Sequence, residues 1–126
     1  MPTLDVPRTE WAAFLDTFSR QHERWLITVE VLTPELGAHR EVRDKPLVGI
    51  SEDRKRGDTA SIAISAGELP QDHVTHVIHR PSRVAMEQTE DGAHKGLRIE
   101  SEDGETTLLR FRSPALPETL DGMISR

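Results

Sequence analysis

Three evenly spaced histidines, His73, His76 and His79, with Asp72 beside the first, are the residues of this 126-residue chain whose type most invites chemistry. Imidazole titrates near neutrality and is the commonest metal ligand, so the run could supply a general base or part of a metal site, with Asp72 or Glu87 as acid–base partner. Geometry argues against one shared ion. The segment Val74 to His79 reads as a strand, where successive side chains alternate, so His73 and His79 share a face about 20 Å apart and His76 points to the other. The expectation is of histidines that pair across a sheet or face solvent, with no metal site and no cofactor; His73, His76, His79 and Asp72 remain the candidates for catalysis.

Arg98 and Arg110 are the candidates for ligand binding. Keeping apolar groups on one face of the last hairpin sets Ile99 opposite Leu109 and Leu97 opposite Phe111, through an odd-length loop or bulge at Gly104. Arg98 then faces Arg110, a like-charge pair that is cheap only with a carboxylate such as Glu100 or an anionic ligand nearby. The remaining charged clusters read as solvated turns. Glu52, Asp53, Glu90, Asp91, Glu102 and Asp103 fall at turn tips without the register of a calcium loop, and Arg54-Lys55-Arg56 is offset by Asp53 and Asp58.

The elements that must position these groups follow from hydrophobic period. Trp11, Phe14, Leu15 and Phe18 fit one face of a helix over Thr9 to His22, with Thr9 as N-cap and Arg20 and His22 near its negative end. The period then changes to two, with Trp25, Ile27, Val29 and Val31 alternating with Leu26, Thr28, Glu30 and Leu32. Further strands are predicted over 47–51, 59–66, 74–79, 83–89, 97–101 and 106–112, seven in all, joined by connections too short for crossover helices and therefore antiparallel. Thr33 to Pro46 reads as a loop or edge strand.

The fold class expected is α+β, mostly β: one N-terminal amphipathic helix packed on a curved antiparallel sheet or small β-barrel of about seven strands. The length suits a single domain over 1–126, with 1–6 and 113–126 as extended or flexible tails. All five aromatic residues, Trp11, Phe14, Phe18, Trp25 and Phe111, fall at core-facing positions, leaving no platform for bases or sugars.

Composition narrows function further. The net charge of −6 disfavours a phosphate backbone as partner, so no nucleic acid is expected. No stretch approaches the ~20 apolar residues of a membrane span, and the start lacks the pattern of a signal peptide. With no cysteine there is neither a disulfide nor a thiolate site, and the setting expected is cytoplasmic. Nucleophile turns, phosphate-cradling glycine loops and paired-histidine metal helices are absent. The leading expectation is a non-enzymatic binding or protein-interaction module, homodimeric or partnered through an edge strand. The alternatives are a small His-dependent hydrolase or metal-dependent enzyme, and a β-barrel holding a small anionic or apolar ligand with Arg98 and Arg110 near its mouth.

Four segments, Trp25 to Val31, His73 to His79, Val84 to Glu90 and Leu108 to Pro114, resemble a family of short bacterial proteins catalogued only as a domain of unknown function. The likeness spans nearly the whole chain. It implies a free-standing cytosolic bacterial protein and carries no activity, ligand or catalytic residue.

Overall fold

The computed structural model of the chain describes residues 3–56 and 58–115. After a first strand, β1 (Thr3–Val6), Pro7 leads into a short 3-10 turn over Arg8–Glu10 and then the helix α1 (Trp11–Gln21). Seven more strands follow: β2 (Leu26–Thr33), β3 (Gly37–Lys55), β4 (Asp58–Ala66), β5 (Val74–His79), β6 (Pro81–Gln88), β7 (His94–Ser101) and β8 (Thr106–Ala115). They pair in the order β1-β6-β7-β8-β2-β3-β4-β5, every pair antiparallel, in a sheet that does not close. This is the α+β, mostly β class expected, in its open-sheet form.

Two strand assignments differ from the expectation. Residues 3–6, read as part of an N-terminal tail, form β1 against β6. Their side chains are largely exposed, so backbone pairing holds them and leaves no hydrophobic period to read. The segment 37–46, read as a loop or edge strand, is the first half of the long strand β3. That half pairs with β2 and the second half pairs with β4. At the other end β8 continues through Ala115, which pairs with His94; the rest of the expected C-terminal tail, 116–126, lies outside the described residues, as do residues 1–2.

The hairpin from β7 to β8 closes through an odd-length loop, Glu102 to Gly104, with Gly104 at φ 92°. This is the parity expected, but the register sits two residues away. Leu97 faces Leu109 and Ile99 faces Thr107, so Arg98 faces Leu108 while Arg110 faces Gly96. The opposed arginine pair therefore does not form. The three-residue loop brings Glu100 against Thr106 and sets every partner on β8 two residues earlier than the apolar matching implied.

Trp11, Leu15 and Phe18 of α1 are buried against β3, where the Ser19 hydroxyl accepts the Ile50 amide at 3.2 Å. Their common partners include Ile27, Val29, Leu47, Ile62, Ile64, Ile78, Leu97, Ile99 and Leu109. Phe14 and Trp25 pack at the margin of this core. The helix begins without a side-chain cap: Thr9 lies inside the 3-10 turn, where Glu10 donates to the Pro7 carbonyl at 2.8 Å. Trp11 Nε1 donates to the Val6 carbonyl at 2.9 Å and ties β1 to the helix.

Candidate functional site

His76 and His79 lie on β5, an edge strand among the described residues, and His73 immediately precedes it. His73 and His79 are exposed, whereas His76 is half-buried on the face it shares with Val74 and the fully buried Ile78. His76 Nε2 lies 3.4 Å from the Thr107 hydroxyl of β8, and burial lowers its pKa, opposed by nearby Glu41 and Glu105. The strand therefore keeps the three rings apart. Among the described residues no three His, Asp or Glu side chains are grouped to hold a metal ion.

Asp72 closes a turn. Its Oδ1 accepts the amides of Glu68 at 3.0 Å and Leu69 at 2.7 Å, and these bonds, the Leu69 amide foremost, hold its carboxyl below the usual range. Arg98 and Arg110 each alternate with buried neighbours, Leu97 and Ile99 for the first and Leu109 and Phe111 for the second. Both consequently stand on the face away from the core. Arg98 Nε is 3.0 Å from Glu100, which also receives Arg83, and Arg110 is 3.8 Å from Glu30. They belong to an outer ion-pair ladder, which places them on the wrong side of the sheet for the mouth of a ligand-holding barrel.

Two other places in the fold gather chemistry. The first is a pair of buried imidazoles. His22 ends α1 at the position where the apolar stripe of Trp11, Leu15 and Phe18 continues, and its side chain is fully buried. His94 begins β7 where the ladder slips on both sides, between Glu87 and Gln88 of β6 and between His94 and Gly96 of β7. A Cβ on Gly96 would lie 1.9 Å from the Leu109 carbonyl oxygen, so only glycine lets β7 approach β8 this closely beside the slip. The irregularity brings His94 Nδ1 within 3.1 Å of His22 Nε2.

Hydrogen-bond logic fixes the protons. The Phe18 carbonyl, 2.7 Å from His22 Nδ1, can only accept, so His22 Nδ1 carries a hydrogen. A neutral His22 then offers Nε2 as acceptor, and His94 must donate from Nδ1. That leaves the Nε2 of neutral His94 unprotonated. It has no protein partner among the described residues and is not sealed from solvent. Around the pair stand aromatic rings: Phe111 stacks on His22 at 4.5 Å between centroids, Phe18 lies at 4.3 Å and Trp25 meets it edge-on at 4.9 Å. Burial in this shell pushes His22 down to about 4, against the opposing pull of the Phe18 carbonyl, and burial also lowers His94.

In the sequence His22 stood out only as a residue near the negative end of the helix, and His94 not at all. Their partnership spans 72 positions, and the only local signal was an imidazole continuing an otherwise apolar helical stripe.

The second place is a surface cleft of about 470 Å³ where the chain leaves α1, bends in β3 and enters β5. Arg24, Arg43, Lys45, Asp44, Glu68 and Asp72 line it. Two of these residues, Arg24 at φ 72° and Asp44 at φ 48°, hold the left-handed backbone that non-glycine residues seldom adopt.

Comparison with known proteins yields a family and no chemistry. An uncharacterized protein of Aquifex aeolicus (strain VF5) is 29% identical over 117 residues, covering 93% of this chain and 97% of its own length. No solved structure matches. Residues 3–119 match the family of unknown function DUF5335, and the chain belongs to that family.

Proposed function

We propose that this chain is a non-enzymatic interaction module of the cytoplasm that self-associates by pairing the open edge of β5 with β5 of a second copy. The observation carrying this reading is an unguarded edge. Among the described residues β5 has a ladder partner on one side only, and the segment from His73 to His79 contains no proline, lysine, arginine or carboxylate. Natural edges are usually blunted by such residues, because an open row of amides and carbonyls templates another strand. β5 also presents Val77, 40% exposed, on its outer face. The opposite edge, β1, is shorter and has Asp5 in an ion pair with Arg83 at 2.7 Å. Self-pairing of β5 is isologous and makes a two-fold dimer with one continuous sheet.

Light scattering of tag-free protein tests this reading. A dimer that becomes monomeric in Val77→Lys supports it, and a monomer at all accessible concentrations refutes it.

A second reading, imidazole acid–base chemistry, is favoured by the unprotonated Nε2 of His94 backed by His22. A panel of ester and phosphoester substrates tests it. Turnover lost in His94→Ala and kept in His76→Ala supports it, and no turnover on any of them counts against it.

A further inference from the structure

The cleft where α1, the bend of β3 and the start of β5 meet is built from irregular backbone in three places. Arg24 lies beyond the helix end in left-handed backbone, fixed by its amide bonding to the Leu47 carbonyl at 2.8 Å. Glycine is the residue that ordinarily occupies such a position without strain. Arg43 and Asp44 sit in a slip of the β2–β3 ladder between Ile27/Lys45 and Val29/Val42, a bulge of the kind that re-aims a side chain. Asp72 is held by the two amides of its turn, and its second oxygen lies 3.7 Å from Lys45.

The charges that remain are of both signs. Asp72 and Lys45 face each other. Arg24 and Arg43 have no ion-pair partner among the described residues, and neither do the carboxylates of Asp44 and Glu68. A simple anion would meet two carboxylates and a simple cation two guanidiniums, so each is disfavoured by half of the lining. A molecule carrying both charges is opposed by neither. Left-handed backbone retained at an exposed arginine whose guanidinium has no ion pair among the described residues is the kind of cost that ligand sites carry.

We propose that this cleft binds a small zwitterion of the α-amino-acid type, its carboxylate on Arg24 and Arg43 and its ammonium on Glu68 and Asp44. The volume suits a small molecule. The cleft is open and polar, and the affinity is modest, with a dissociation constant on the order of 1 mM.

The test is a titration of the full-length chain followed by amide chemical shifts. Glycine, glutamate and lysine serve as zwitterionic probes, acetate and inorganic phosphate as anions, and methylammonium as a cation. Saturable shifts at residues 24, 43–45 and 68–72 with a zwitterion, and at least tenfold weaker response to the single-charge probes, are expected. Arg24→Gly relieves the backbone strain while removing the guanidinium, so it is expected to melt no lower than the parent chain and to lose binding at least tenfold. Arg43→Gln, at an exposed residue, is expected to lose binding similarly with its melting unchanged. Equal response to acetate or phosphate overturns the zwitterion, as does saturation by methylammonium. Silence with every probe overturns the site, and so does unaltered binding in both variants.

Discussion

His22 Nε2 and His94 Nδ1 lie 3.1 Å apart inside a shell formed by Phe18, Trp25 and Phe111, so the end of the helix and the start of β7 are joined by one shared proton. The pair is neutral as folded, and its behaviour on acidification follows from that.

Because the folded pKa of His22 is held down at about 4, from an ordinary 6.5, the unfolded chain binds more protons between those values. Stability therefore rises with pH across this window, and falls as pH drops from about 6.5 toward 4. Below 4 this contribution levels off. The depression corresponds to about 3 kcal/mol. Urea midpoints measured from pH 4 to 7.5 should show the slope, and His22→Leu should flatten it while lowering the whole curve. His94, the titratable ring in contact with His22, lowers its pKa further and so keeps the sign.

Gly96→Ala should be among the most damaging single changes in the protein. The added Cβ would meet the Leu109 carbonyl oxygen and carbon, at 1.9 and 2.9 Å, in backbone at φ 156°, and none of these atoms belongs to a flexible side chain. A loss of about 4 kcal/mol is expected, with the β7–β8 pairing displaced. Chemical denaturation measures the loss, and near-neutral stability would contradict the close approach.

Leu109→Ala removes a fully buried side chain whose ladder partners, Leu97 and Val29, are also fully buried. About 3 kcal/mol is expected from lost burial plus the cavity left behind. Thermal denaturation gives the number. Leu36→Ala, at a hairpin tip where the side chain is 78% exposed, should change stability by less than about 0.5 kcal/mol and serves as the control.

Trp11→Phe keeps an aromatic ring in the core and deletes the bond from Nε1 to the Val6 carbonyl. Stability should fall by about 1 kcal/mol or somewhat more. Hydrogen exchange should accelerate selectively at residues 3–6, since β1 is otherwise held by its ladder with β6, the exposed Asp5–Arg83 ion pair and the packing of Val6.

What the sequence displays best is burial on one face. The alternation of Ile27, Val29 and Val31 and the stripe of Trp11, Leu15 and Phe18 are all buried as their periods imply. What it conceals is structure held by backbone pairing or by distant partners. Residues 37–41 are exposed yet form part of β3, because a ladder with β2 needs no apolar period. The register of the last hairpin depends on how Gly104 turns, and a two-residue difference separates Arg98 from Arg110. His73, His76 and His79 drew notice by their spacing, whereas His22 and His94 meet only through a ladder slip that no local pattern records.

Strand β3 is nineteen residues long, roughly 60 Å if it were straight. Its first half completes the ladder that runs from β1 through β2, and its second half founds the one that runs to β5. A partition of the fold at this strand would strand half of it without neighbours on either side of the cut. The two halves of the sheet therefore share a spine, and the chain should melt as one cooperative unit, with the spine near Pro46 as the place where a backbone nick dissolves both.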